Sequence, residues 1–519
     1  MKKTLILSIL IIASNQLSAQ VTWSANVASI IYSKCSNCHN ANGIAPFQLM
    51  SYQDAVQNAT DIKNQVTNRT MPPWPPDPTY SHLAHERILP QQQIDAIANW
   101  VDSGMVRGSI ALEPPPPVFN SSSEITNPDL VLQAPTYAVN TTNDDYRCFV
   151  IPTNLLTDKY ITGMEAIPGN RNVVHHILIY SDTTNVPATL DAADPNPGYT
   201  NFGGTGSSAS KLIGVWVPGQ NAYYSPTGMG IKLPANSNVV LQIHYPGGIS
   251  GQTDSTKLLL KLSSTFHREI SIDAPLEHLH LDSLQVLIIP ANTTRTFTAH
   301  YQVPADLSVL GIGPHMHLIG TSILSFAITP SNDTIPFINI PHWDFHWQGV
   351  YSFPKVLKIP AGTILYSEAH YDNTAANPAN PNSPPHFVHL GESTTDEMML
   401  VYFAYTPYFP GDENIIIDST QIINNVQEIN SSLVITPQLY DPSPNPGHNK
   451  ITFQYYLPQS GHVNISIVDI IGKIIKKESS EIKSGLVTSQ MEISDLTSGV
   501  YFLNLDAGGT IRSKRFMKD

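Results

Sequence analysis

The chain has 519 residues, 41% of them hydrophobic and only 13% charged, with 27 Lys and Arg against 41 Asp and Glu for a formal net charge of −14. At ~150 residues per domain this length holds three or four domains, and the sparse charge together with 42 prolines suits short strands joined by polar turns. The acidic balance argues against nucleic acid or an anionic membrane surface as partner and leaves neutral or cationic ones.

Residues 1–20, MKKTLILSILIIASNQLSAQ, combine a Lys-Lys start, an apolar run and small residues near Ala19, the pattern of a signal peptide. No later run approaches the ~18 apolar residues of a membrane span, so none is expected and the mature chain is read as exported. The three cysteines, Cys35, Cys38 and Cys148, are too few for a disulfide scaffold.

Residues 21–112 carry helical periodicity in NVASIIYSK, YQDAVQNATDIKNQV and PQQQIDAIANWVDSG. Within them SKCSNCHN places Cys35 and Cys38 so that two thiols can add to the vinyl groups of one heme while His39 ligates its iron. The following His and the missing second CxxC favour heme over a zinc half-site or a thiol redox pair. Met71 in TMPPWPPDP sits on a proline-stiffened loop suited to presenting a thioether, with Met50, Met105, His82 and His85 as alternatives for the sixth position. The block resembles a monoheme cytochrome c, and its MPP loop supports Met71. An all-α domain is expected, followed by a Pro-rich linker at 113–124 containing EPPPPVF.

From 125 to 412 the pattern changes to short alternating or β-branched runs such as NVVLQIHYP, SILSFAITP and EMMLVYFAY, as in β-sandwiches. Two sandwiches are expected, 125–280 and 281–412. In NVVHHILIY, His175 and His176 interrupt an apolar strand; adjacent strand residues face opposite ways, so convergence on one ion needs a bulge or a strand end. His315 and His317 in GIGPHMHLIG lie two apart, on one face of a strand, the geometry of chelation. His244 falls on the half-polar face of its strand with Val240 and Gln242. Nineteen histidines make such pairs unremarkable as counts, the His278–His280 pair included.

Taken in order, HHILIY, LQIHYPG, HMHLIG and TTDEMMLVYF resemble the copper type II monooxygenases, the family of peptidylglycine α-hydroxylating and dopamine β-monooxygenases. The resemblance implies two jelly-roll-like β-sandwiches, two copper ions and hydroxylation of a C–H bond with O2 and an external reductant or redox protein. It matches His175, His176 and His244 to one copper, and His315, His317 and Met398 to the other, with Tyr402 assisting the substrate. Where the peptide-amidating branch has a carboxylate-binding Arg and Asn, this chain has Gly313 and Leu400, which speaks against a glycine-extended peptide. Cys148 has no partner for the family's disulfides. His346 in WDFHWQG and His370, His386 and His389 are read as pocket lining or surface loop.

Residues 413–437 form a polar connector. Residues 438–519 alternate as a small Ig-like β-sandwich with a basic end, and resemble the type IX secretion sorting domain, implying that machinery as partner and a secreted or cell-surface destination via the periplasm. The chain as a whole reads as a monooxygenase of a small molecule or peptide, fed electrons through its fused heme. The alternative is a non-catalytic surface electron-transfer or copper-binding protein.

Overall fold

The computed structural model describes residues 20–41, 43, 45–119, 123–282, 285–418, 437–439, 442–457, 460–470, 472–482 and 485–519. The expected signal peptide, apart from Gln20, lies outside the described residues, as do positions 419–436 of the connector. No helix among the described residues is long and apolar enough to cross a membrane. The chain divides into two compact units, residues 1–74 with 87–122, and residues 75–86 with 123–519.

The first unit is helical. Helices Ala28–Lys34, Tyr52–Gln57, Ala59–Thr67 and Gln91–Asp102 bury Ile30, Ile31, Ile62, Val66, Ile94, Ile97 and Trp100, the i, i+3, i+4 spacing of amphipathic helices. Trp23, fully buried, packs against Tyr32, Tyr52 and Trp100 at 5.7, 6.0 and 5.8 Å. Ser51 caps the second helix by accepting the Asp54 amide at 3.2 Å.

The second unit is mostly β, with a short α-helix at Val186–Ala193. Its first part has a six-stranded sheet and a five-stranded sheet, the latter in the order Tyr199–Thr200, Asp145–Pro152, Asn238–Tyr245, His176–Asp182, Lys211–Trp216. Phe149, Ile177, Ile179, Leu241 and Ile243 of this sheet meet Ile161, Ile231, Leu258 and Leu260 of the other in one apolar core. Its second part pairs two four-stranded sheets, in contact where Phe337 meets Phe403 at 5.3 Å and Phe353 at 5.9 Å. A third core, among Ile451, Phe453, Ile465, Leu503 and Phe516, belongs to the C-terminal sandwich.

Two boundaries depart from the expected ones. The strand Ser271–Glu277 already pairs with Leu400–Pro407 of the second sandwich, whereas Arg268–Glu269 still pairs with the first, so the crossing lies at Ile270 rather than 280. No Gly or Pro cluster marks it, which is why composition is silent there. Residues 75–86 leave the helical block and join the β unit. Asp77 donates its amide to Asn339 O at 2.7 Å, Ser81 Oγ to Phe337 O at 2.8 Å, and Ala84 its amide to Ser352 O at 2.8 Å. A proline-rich segment without a ladder of its own satisfies its backbone on the second sandwich.

Candidate metal centres

The strand His176–Asp182 starts at His176, so His175 stands at the strand end that convergence requires. His244 lies opposite His176 in antiparallel register, and the His175 amide donates to the His244 carbonyl at 2.9 Å. His175 Nδ1 is thereby 3.1 Å from His176 Nδ1 and 3.2 Å from His244 Nδ1. The face carrying Val240, Gln242 and His244 is buried rather than half-polar. Gln242 Nε2 donates to the Asn201 and Gly204 carbonyls, and Tyr146 stacks on His244 at 4.4 Å, 3° from parallel.

Three imidazole nitrogens this close need an explanation. Burial holds His175 far below its ordinary value, at about 3, and His176 well below it, so both stay neutral at pH 7. A neutral imidazole nitrogen carries one N–H or one lone pair, so His175 Nδ1 can make one well-directed hydrogen bond and not two. Two ligands on ~2.0–2.1 Å bonds at a tetrahedral angle lie about 3.3 Å apart, close to the spacing seen. An ion at the centre satisfies all three donors, and among the described residues this is the one group of three or more His, Cys, Asp or Glu so placed. His244 Nε2 is buried without a hydrogen-bond partner, 3.6 Å from Asp144 Oδ2. That imidazole holds the Asp144 carboxyl below the usual carboxylate range.

The second cluster differs from the expected HxH strand. The strand Leu307–His315 ends at His315, and His317 lies beyond it, just before a turn at Leu318–Ile319. Their rings still meet, 5.1 Å apart. Each Nδ1 is taken by an oxygen: His315 by Gln348 Oε1, His317 by Asp396 O at 3.2 Å. Those acceptors fix the Nδ1–H tautomer and leave Nε2 as the free lone pair. Burial lowers His315 to about 4 and His317 to about 3, so both are neutral. Met398, 7% exposed, precedes the strand Leu400–Pro407 that pairs with the His315 strand, and Tyr371 Oη donates to its carbonyl at 2.8 Å.

His175 and His176 of the first cluster and His315, His317 and Met398 line one cavity of about 350 Å³, bounded also by Gly313, Leu400 and Tyr402. Burial pushes the Tyr402 hydroxyl up to about 12. Its carboxylates are Glu277 and Glu392, and no Lys or Arg is among its lining residues. Of the four histidines read as pocket or loop, His346 lines the cavity and His370, His386 and His389 do not. Sequence reading passed over His278, which lines it and accepts the Met399 amide at 3.3 Å; its signal was the pair with His280, set aside as a chance count. It also passed over Gln348 and Glu397, whose roles depend on chain reversals.

In the helical unit, the Cys38 and His39 amides both donate to the Cys35 carbonyl, at 3.1 and 3.0 Å. His39 Nδ1 donates to Phe47 O at 2.9 Å, leaving Nε2 free. Burial pushes the Cys35 thiol up to about 12, the reverse of an activated redox thiol. Met71 is partly buried on its loop, and Met105 packs against the helical core. His82 and His85 fall in the β unit, where the His85 amide donates to Asp418 Oδ2 at 2.7 Å. Cys148 is buried, its thiol pushed up to about 12 by burial.

Residues 130–247, which include His175, His176 and His244, match the family described as copper type II ascorbate-dependent monooxygenase, N-terminal domain. They are a copper monooxygenase-type domain. Residues 442–519 match the secretion system C-terminal sorting domain, which marks a secreted or cell-surface protein. Dopamine beta-hydroxylase of Bos taurus is 23% identical over 258 residues, 46% of this chain and 40% of that relative's length. The chain thus spans less than half of the curated relative it matches. Among solved structures, Faecalibacterium prausnitzii beta-glucuronidase covers 44% of this chain and 38% of its own at 10% identity and a TM-score of 0.15. Parabacteroides merdae beta-glucuronidase covers 43% and 28% at 8% identity and 0.16. At such scores the likeness carries no argument. The donor set of the copper monooxygenase-type domain fits its family's metal: imidazole nitrogens suit both Cu(I) and Cu(II).

Proposed function

We propose that this chain is an exported copper-dependent monooxygenase with one copper held by His175, His176 and His244 and a second by His315, His317 and Met398. The observation that carries the reading is that residues of both clusters line one cavity. Bound copper supplies one-electron chemistry and O2 activation, with a thioether in the second set favouring Cu(I) and the imidazole set accommodating either state. The protein's own part is to hold these donors oriented, with burial keeping His175, His176, His315 and His317 neutral. Gln348 and the Asp396 carbonyl fix the tautomers of His315 and His317, and Tyr146 stacks on His244.

The cavity walls bear on the substrate. Gly313, in register with Tyr402, and Leu400 offer no anchor for a carboxylate, while Glu277 and Glu392 oppose one electrostatically. The substrate read from these walls is a small molecule or peptide group without a free carboxylate. We further propose that Cys35 and Cys38 attach one c-type heme, with His39 and Met71 as axial ligands, and that this heme delivers electrons to the oxygenase. The His39 ring, oriented by Phe47 O with Nε2 free, and the unactivated Cys35 thiol fit that role better than dithiol exchange.

The test is metal analysis with mass spectrometry of the exported protein, then O2 consumption with a candidate substrate. Two coppers and one heme per chain, and loss of O2-dependent product in Met398→Leu with the heme spectrum intact, are expected. A chain binding no copper, or one fully active without Met398, would sink the proposal.

A further inference from the structure

The segment Trp343–Gln348 touches both clusters. At one end Trp343 Nε1 donates to the His317 carbonyl at 3.1 Å. At the other, Gln348 Oε1 accepts from His315 Nδ1 while Gln348 Nε2 donates to the Phe345 carbonyl at 3.0 Å. Between them Asp344 caps a short 3-10 turn, accepting the His346 amide at 2.9 Å, and the turn buries Phe345 to 9% exposure. The Phe345 ring stacks on His175 at 5.3 Å and 20°, and meets His317 edge-on at 5.9 Å and 88°.

One side chain therefore contacts an imidazole of each cluster. The His175 and His317 rings can be no farther apart than those two contacts laid end to end. A benzyl group has few rotamers and, in a close-packed interior, transmits position rather than absorbing it. Its backbone is tied to the His315–His317 arm by Trp343 and Gln348, and its ring is set against the His175 arm.

We propose that Phe345 is a positioning residue that sets the separation of the two copper centres. This rests on the reading of both clusters as copper sites. A smaller side chain would leave a void between the sandwiches at this point and free the His175 ring to move or admit water. A residue that merely filled space would be replaceable by another apolar side chain of similar bulk without change in that separation.

The experiment loads the full chain with Cu(II), counts the metal, and records the frozen-solution electron paramagnetic resonance spectrum, in which each Cu(II) broadens the lines of the other by a dipolar interaction that falls with the cube of their separation; half-loaded protein supplies the unbroadened reference. The fully loaded unaltered protein is expected to show that broadening. Phe345→Ala is expected to change it most, Phe345→Leu in part, and Phe345→Tyr, which keeps the ring, almost not at all, all with two coppers per chain. Phe345→Leu keeps the test alive if the alanine variant fails to fold. Unchanged broadening in variants that lack the ring yet hold two coppers would overturn the proposal, as would its absence from the fully loaded unaltered protein. Fewer than two coppers before any substitution would overturn the copper reading itself, and this proposal with it.

Discussion

The Glu397 carboxylate reaches across the turn after the second cluster to accept the His317 amide at 2.9 Å. The same carboxylate accepts the Ile319 amide at 2.8 Å and its own neighbour's, Met398, at 3.2 Å, from a fully buried position. It ties the backbone carrying one proposed copper ligand to the backbone carrying another.

Replacing Glu397 with Ala should therefore leave three buried amides unpaired and cost about 3–9 kcal/mol, at ~1–3 kcal/mol for each unsatisfied group. Chemical unfolding measures that cost. Copper at the His315–His317–Met398 site should weaken in the same variant while the three-histidine site keeps its metal. Equal loss at both sites would mean that the carboxylate does not act locally.

His244 contributes a donor and its carbonyl to the first cluster. In His244→Ala, copper stoichiometry should fall by one. Metal-induced stabilisation should shrink accordingly: ligand at a hundred times its Kd contributes about 2.7 kcal/mol per site. Removing copper with a chelator should lower the melting temperature of the unaltered protein more than that of the variant.

Arg268 grips Asp412 with two hydrogen bonds, at 2.6 and 2.8 Å, both side chains largely buried. That guanidinium holds the Asp412 carboxyl down to about 2. Because the folded value lies below the unfolded one, the contribution is fully present above about pH 4 and is lost as pH falls toward 2. Its size is about 2 kcal/mol by the usual conversion of pKa shift to free energy. Arg268→Met should flatten the acid limb of stability against pH, read from denaturant midpoints between pH 5 and 2 (the window in about these units set by the two values).

Substituting Cys35 and Cys38 with Ala should abolish covalent heme, seen as the mass of the apo chain, while the β unit still binds copper. Met71→Leu should keep the heme but remove the sulfur–iron absorption band and lower the reduction potential. A band that survives in Met71→Leu would reassign the sixth ligand, with Met50 and Met105 next in line.

Much of this was legible in the order of residues because it depends on local period. Ile94, Ile97 and Trp100 announce a helix, and the alternation through Leu365, Ser367, Ala369 and Tyr371 announces a strand. The spacing Cys35-x-x-Cys38-His39 and the paired histidines are equally local. Less legible were the two boundaries. Nothing in composition distinguishes Ile270 from its neighbours, and residues 75–86 join the β unit only because their backbone finds carbonyl and amide partners far along the chain.

By itself, the sequence determined which proposed donors exist and which chain segments carry them: six imidazoles, two thioethers and a thiol pair, on segments set by hydrophobic period. Only the tertiary structure decided which of them share a centre. Convergence of His175 with His244, the choice of Nδ1 or Nε2 by Gln348 and the Asp396 carbonyl, and the seat of Phe345 between two histidines all depend on contacts between residues tens to hundreds of positions apart. Such contacts follow from sheet register and close packing, which no short window of sequence encodes.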